Sequence, residues 1–298
     1  MARLKDLTKR LKIREVVQDL REFWPVTLRH IFYQLVVKEV IENCRAAYQG
    51  LSKLLTELRH DGFVQWDSME DRTRHTSEKR GYTDLQEFVK RETDNFLTGY
   101  ARCRIQGQSK HIEIFIEKDT LSKIFENVAW PFCIRVTACK GYGSTSQLKQ
   151  YSTRSKAAIA QGQTPVVHYY GDFDPSGWDM LNSLQKRLRE DFKVEGIIWK
   201  RIALTPEIIE EYQLPTNPDA LKHTDSRAKK FMELYGNLSV ELEALHPREL
   251  KNLIHSSLFE ELDWEIFDHQ QQIEKVEHEK VQDIRTKIMA IIQTELEA

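Results

Sequence analysis

Three acidic side chains stand out by type and spacing. Glu117 ends the alternating run HIEIFIE at 111–117, and Asp172 and Asp174 close PVVHYYGDFD at 165–174. Two carboxylates at i, i+2 beyond a strand can point the same way once the chain turns, and a third from a neighbouring strand end completes a set of hard oxygen donors. Mg²⁺ suits such a set: it binds through one or two carboxylates plus phosphate and keeps several waters. A bound Mg²⁺ neutralises phosphate charge and polarises the P–O bond. A single Asp-x-Asp would be an ordinary solvated loop, and Glu117 is what tips the pattern toward metal. Asp119 and Asp179 are as suited to starting a helix as to holding an ion. Pro175 and Gly177 in GDFDPSG allow a tight turn into a following helix.

A second group lies upstream. In LRHIFYQLV, Arg29 and Tyr33 are one helical turn apart, while Leu28, Ile31, Phe32, Leu35 and Val36 form an apolar stripe. The stripe makes Phe32 core and leaves Tyr33 presented outward. A tyrosine with a pKa of about 10 is a poor nucleophile unaided. An arginine one turn away would hold a phosphate and favour the phenolate. A packed aromatic with a polar tip is the alternative, and the local sequence leaves it open. A third group is ACKGYGSTSQL, where Lys140, Gly141 and Gly143 make a loop able to approach a phosphate and Ser144 or Thr145 caps a helix. No Gly-Lys-Ser/Thr follows, which excludes an ATP-binding P-loop.

The elements that must position these groups change period along the chain. Residues 1–22 read as a helix broken by Trp24-Pro25, Thr27 as the N-cap of a helix over 28–38, and 45–60 as a further helix ending before Asp61-Gly62. Phe63, Gln65 and Trp66 alternate as a short β-wing would. Helix, turn, helix, wing is the order of a winged-helix module, whose second helix enters a DNA groove. Its candidate DNA contacts are Arg45, Lys53 and Arg59 on that helix and Arg72 and Arg74 beyond it, with Lys140 from the glycine loop. Residues 76–110 form a polar, partly helical connector. Strands follow at 111–117, 133–139, 165–174 and 197–204, with helices at 119–129, 144–160 and 177–191 between them. That alternation predicts a parallel α/β sheet, with function at the carboxyl ends of its strands. From 205 the chain is mostly helical, with a long charged helix from about 260 to 298. The expected fold is mixed α/β, dividing into a winged-helix DNA-binding domain at 1–108 and a metal-binding domain with a helical extension at 109–298.

Composition sets the outer bounds. A chain of 298 residues, 40% hydrophobic and 30% charged, has the make-up of a globular protein. It carries no apolar run long enough to span a bilayer, and its first residues lack the apolar core of a signal peptide. Cys44, Cys103, Cys133 and Cys139 show no metal spacing and read as buried thiols in a reducing compartment. A cytoplasmic protein is expected. The net charge of −2 hides a split: residues 1–110 hold 21 Lys and Arg against 16 Asp and Glu, and the remainder holds 23 against 30. A basic front joined to an acidic back fits a DNA-docking part beside a metal-binding part.

The order FIEKDTL, CKGYGST, YYGDFDPSGWD resembles the Toprim domain, a Mg²⁺-binding module of topoisomerases, primases and some nucleases. The Lys-Gly-Tyr loop narrows the resemblance to the A subunit of topoisomerase VI and its meiotic double-strand-break relatives. It covers roughly residues 25–258, including RIALTPEIIEEYQLP and SVELEALHPRELKNLI, and the short chain is similar to the minimal Mini-A proteins of bacteria, phages and plasmids. The resemblance implies a winged-helix module before the Toprim domain and a tyrosine nucleophile in an Arg-x-x-x-Tyr helix, matched here by Arg29 and Tyr33. It implies a phosphotyrosyl link with a free 3′-OH, Mg²⁺ at Glu117, Asp172 and Asp174, and a homodimer in which the tyrosine of one protomer meets the metal site of the other. A separate ATPase subunit of B type would serve strand passage, and the protein would be nucleoid-associated. His30 departs from the pattern, standing where relatives commonly have an acid. Two rival expectations remain: a Toprim nuclease that hydrolyses DNA with water, Tyr33 being structural, and a non-catalytic DNA-binding subunit of a larger complex.

Overall fold

The computed structural model describes residues 2–70, 81–139, 143–217 and 226–297. Compactness separates the chain into one unit of residues 1–73 with 109–261 and a second of 74–108 with 262–298. This partition differs from the sequence division after residue 108, which follows a change of element type.

The first unit opens with helices α1 (Ala2–Asp19), α2 (Leu28–Val37) and α3 (Arg45–His60). A short 3-10 turn, Arg21–Phe23, follows α1 in place of a last α-helical turn. Thr27 caps α2 as expected, its side chain accepting from His30 N. The expected wing is absent from the described residues after α3: Trp66–Ser68 form a 3-10 turn and Met69 makes an isolated bridge to Val26. The Arg59 guanidinium lies 4.3 Å over the Trp66 ring and Arg59 Nη2 donates to Trp66 O. That contact holds the segment against α3, where an alternating strand would have carried Trp66 away.

The unit's centre is a four-stranded parallel sheet in the order β2-β1-β3-β4, formed by β1 (Lys110–Ile116), β2 (Arg135–Ala138), β3 (Thr164–Tyr170) and β4 (Ile198–Ala203). The expected parallel α/β arrangement is borne out, with β1 as long as its expected run but one residue earlier and the other three strands shorter than theirs. The sheet is covered on both faces, as parallel sheets require. Helices α5 (Ser122–Ala129), α6 (Thr145–Ala160) and α7 (Pro175–Glu190) follow β1, β2 and β3 in turn, while α4 (Leu85–Asn95) precedes β1 and belongs to the second unit. Phe115, Val167 and Tyr169 pack against Leu148 and Tyr151 of α6 and Met180, Leu184 and Leu188 of α7. On the opposite face Phe125 of α5 meets the Tyr170 ring at 4.7 Å, and Tyr170 Oη lies 2.8 Å from Ser257 Oγ.

Beyond β4 come α8 (Pro206–Glu211), α9 (Ser226–Tyr235), α10 (Pro247–Phe259), which carries Ser257, and the 34-residue α11 (Trp264–Glu297). The helical C-terminal part is thus as expected. Within the second unit α4 precedes a loop that packs on α11: Arg102 Nη1 pairs with Glu277 at 2.9 Å and Arg285 Nε donates to Phe96 O at 2.8 Å. Among the described residues no helix is long and apolar enough to cross a membrane. Of the four cysteines only Cys139 is buried. Cys103 is exposed and the other two are half-buried, so the expectation of four buried thiols is corrected.

Candidate functional site

Register brings the acids together. β1 pairs with β3 so that Ile116 faces Tyr170, and the next residue, Glu117, donates its backbone N–H to Tyr170 O at 2.9 Å. Both strands therefore end at one level, and the chain leaving β3 passes over the Glu117 side chain. Asp172 N–H donates to Glu117 Oε2 at 2.9 Å. Two glycines make room: a Cβ on Gly171 would lie 2.8 Å from Glu117 Oε2, and one on Gly177 would lie 2.4 Å from Asp172 O. Asp174 caps α7, its Oδ1 accepting from Gly177 N at 2.6 Å. Asp172 is almost fully buried; Oδ1 accepts from Leu242 N at 2.9 Å, and Oδ2 meets Lys118 Nζ at 2.7 Å.

The electrostatics follow from crowding carboxylates away from water. Burial, with Asp172 alongside, pushes the Glu117 carboxyl up to about 8. Burial also raises Asp172, against the pull of Lys118, and raises Asp174. Among the described residues no group of three or more His, Cys, Asp or Glu side chains is disposed to hold a metal ion. Asp174 is turned to its helix cap, and Asp172 is shared between a backbone N–H and a lysine. The chemistry of the donors nonetheless fits a hard divalent cation: they are oxygens, and Glu117 titrates high because burial and the charge of Asp172 outweigh Lys118 and the Asp172 N–H.

Lys118 is the cation already present. Besides Asp172, its Nζ lies 2.9 Å from Glu241 and 2.9 Å from Glu243. Burial disfavours its charge, but the three carboxylates together outweigh burial and hold it protonated well above the ordinary lysine range. Glu241 then joins this cluster to α2. It pairs with Arg29, takes Asn217 Nδ2 at 3.1 Å, and neighbours the Tyr33 hydroxyl, whose proton it helps to hold.

Tyr33 is therefore not presented outward, which corrects the sequence reading. Only 3% of the residue is exposed, because α2 is covered by α1, α3 and the 3-10 turn Leu242–Ala244. Gln34 of the same helix donates to Ala244 O at 3.4 Å. Burial and the neighbouring Glu241 push the Tyr33 hydroxyl far above its ordinary value. The ring still lines a pocket of about 480 Å³ that opens to solvent beside Arg29, Arg45, Tyr48, Asn217 and Glu241. Arg29, whose side chain is 39% exposed, forms part of the same wall.

Arg45 and Lys53 are exposed on α3, and Arg59 is partly covered by its contact with Trp66. Lys140, Gly141, Arg72 and Arg74 lie outside the described residues. Ser144, and not Thr145, caps α6, through a capping box with Gln147. Asp119 begins a 3-10 turn and accepts from Ser122 Oγ at 3.0 Å. Asp179 sits inside α7 and lines a separate hollow with Trp178 and Lys230.

Three residues escaped sequence reasoning. Lys118 and Glu241 carry the link just described. Arg201 of β4 donates to the carbonyls of Leu204, at 2.8 Å, and of Asp172, and so clamps the loop that bears the two aspartates. The Lys beside Glu117 in FIEKDTL was a visible signal, whereas Glu241 stands in SVELEALHPRELKNLI, a segment that entered only through the family resemblance. No protein-family model matches the chain, and no curated protein matches it.

Proposed function

We propose that this protein cuts double-stranded DNA by transesterification, with Tyr33 as nucleophile and Mg²⁺ held at Glu117, Asp172 and Asp174. The proposal extends the resemblance to topoisomerase VI A subunits: α2 and α3 would be the helical pair of a winged-helix module, and β1–β4 with their acids a Toprim domain. The observation that carries it is a continuous polar chain. The Tyr33 hydroxyl neighbours Glu241, Glu241 pairs with Lys118, Lys118 with Asp172, and Asp172 N–H donates to Glu117. A buried hydroxyl is thereby joined to the acidic cluster, beside an arginine that faces a solvent-open pocket.

In the step, Tyr33 Oη forms a bond to phosphorus as the P–O3′ bond breaks. The 3′ oxygen leaves and takes up a proton from water, while the phenolic proton passes to water in the solvent-open pocket that Tyr33 lines. Arg29 and Lys118 supply fixed positive charge toward the phosphate. When bound, Mg²⁺ supplies further neutralisation of charge on the phosphate. A second copy of the chain makes the second cut, and Val276, Ile284 and Ile291, exposed along one side of α11, suit contact between copies. Strand passage would need an ATPase subunit, and the protein would work on the nucleoid in the cytoplasm.

The test is supercoiled plasmid with Mg²⁺, analysed after denaturation with and without protease. Wild type should leave DNA ends covalently bound to protein, and Tyr33→Phe should leave none. An equal yield of cut DNA from Tyr33→Phe sinks the proposal. The burial of Tyr33 favours one second reading, hydrolysis by water with Tyr33 as a packing residue. Free 5′-phosphate ends with no attached protein would decide for it.

A further inference from the structure

Glu241 is held as a phosphate would be. Its carboxylate receives the Arg29 guanidinium and, at 2.9 Å, the Lys118 ammonium on Oε2, with Asn217 Nδ2 3.1 Å from Oε1, and Tyr33 lines the same pocket. Two cations and an amide converging on one anion are more donors than a structural carboxylate needs. They are the donors by which proteins grip a phosphodiester oxygen. The cations and burial act in opposite directions on Glu241, burial being the largest single influence, and the cations prevail, so the carboxylate stays ionised.

The position is also reachable. Glu241 keeps 14% of its side chain exposed and lines the same pocket of about 480 Å³ as Arg29 and Tyr33. Its backbone is anchored independently of the side chain, by Leu242 N–H to Asp172 Oδ1 and by Val240 to Phe173. Glu243, by contrast, is fully buried and accepts from Lys118 and Thr120. Its carboxylate shares Lys118 with Glu241 but is no part of the pocket wall.

We infer that the Glu241 carboxylate is a built-in substitute for the DNA phosphate, and that DNA engages Arg29, Lys118 and Tyr33 by displacing it. The resting protein is then closed by its own anion, and the phosphate enters by anion exchange with little rearrangement of the donors. This deepens the function proposed above and rests on it for the identity of the ligand.

The experiment is binding of a short DNA duplex in EDTA, so that no strand is cut, measured by fluorescence anisotropy over a series of salt concentrations. Glu241→Gln should bind about threefold to tenfold more tightly than wild type, with a salt dependence steeper by about one phosphate contact. Glu243→Gln, which removes the same charge without vacating the pocket, should bind as wild type does. The gain should vanish when Arg29→Ala is added. Where the glutamine variant does not fold, Glu241→Asp, which withdraws the carboxylate from Arg29, should show a smaller gain of the same sign. Unchanged or weaker binding by the Glu241 variants, an equal gain in Glu243→Gln, or a gain that survives Arg29→Ala overturns the inference. Wild type that binds duplex but forms no covalent adduct leaves the inference standing and removes the transesterase. Failure of every protein to bind duplex removes both.

Discussion

Lys118 holds its ammonium nitrogen 2.7 Å from Asp172 Oδ2, so the cation that balances the acidic cluster is part of the chain itself. Neighbouring residues on the strand exit thus take opposite roles: Glu117 adds negative charge, and Lys118 removes it. The pair explains how three acids can converge at one end of a sheet.

The first expectation follows from that balance. Lys118→Met leaves Asp172, Glu241 and Glu243 buried without their shared partner, and breaking a buried pair in this way costs about 3–5 kcal/mol. Thermal melting in EDTA should show a large loss. Added Mg²⁺ or Mn²⁺ should recover more stability in the variant than in wild type, because the site left open is an oxygen-lined one. Equal melting temperatures would mean that the lysine is not the balancing charge.

Glu117 gives a pH dependence with a definite sign. Its carboxyl sits at about 8 in the folded chain against 4.5 ordinarily, so ionising it opposes folding. The contribution to stability is full below about pH 4.5 and is lost as pH rises through 8. Glu117→Gln, which cannot ionise, should therefore be more stable than wild type in EDTA at about pH 9, by about 1–3 kcal/mol, and little different at about pH 5. Divalent-ion binding to wild type should release a proton near neutral pH, readable by calorimetry in buffers of different ionisation enthalpy. A variant no more stable than wild type at high pH would count against the crowding of Glu117 and Asp172.

The strands, the caps at Thr27 and Ser144, and the convergence of Glu117 with Asp172 were legible because each is local or follows from sheet topology. An apolar run such as HIEIFI can only be a covered strand, and parallel strands end at one level. The orientation of Tyr33 was not legible. The stripe on α2 correctly marks Ile31, Phe32, Leu35 and Val36 as core, but what buries Tyr33 is a turn at 242–244, about two hundred residues on, and no periodicity within α2 reports it. Among the described residues the wing is not formed, for a similar reason: Phe63, Gln65 and Trp66 do not continue as a strand, because Trp66 is drawn onto Arg59. Pairings such as Arg29 with Glu241 join segments 212 residues apart and have no sequence signature.

Acid sensitivity should trace to a different carboxylate. Glu261 is buried; it accepts from Lys110 Nζ at 2.7 Å and also pairs with Lys200, joining β1 to β4. Burial opposes its charge, but the two lysines hold it down at about 2. A carboxylate depressed on folding contributes stability above its unfolded value of 4.5 and loses it as pH falls toward 2. Glu261→Gln should cost about 1.5–3 kcal/mol at neutral pH, and its difference from wild type should shrink steadily below about pH 4.5. Urea titrations at several pH values read this directly. A difference that stays constant with pH would assign the loss to packing instead.

The two glycines at the acidic site make the last expectation. Gly177 lies where a Cβ would be 2.4 Å from Asp172 O and 3.0 Å from Glu117 Oε2, and Gly171 where one would be 2.7 Å from Tyr169 Oη. The Asp172 contact is backbone, so it cannot be relieved by a side-chain turn, and Gly177→Ala must push the start of α7 away from the β3 exit. The expected loss is about 2–4 kcal/mol, with Asp174 carried off its position because Gly177 N is its hydrogen-bond partner. Gly171→Ala should cost less, since the Tyr169 hydroxyl and the Glu117 carboxylate can shift. Gly50, inside α3 with nothing within 4 Å of its Cβ position, is the control: alanine there should be neutral or stabilising by about 0.5–1 kcal/mol. Because the clash is local, Gly177→Ala should also blunt the stabilisation by Mg²⁺ far more than Gly50→Ala does. Equal responses to Mg²⁺ from the two variants would separate the metal from the Asp172–Asp174 loop.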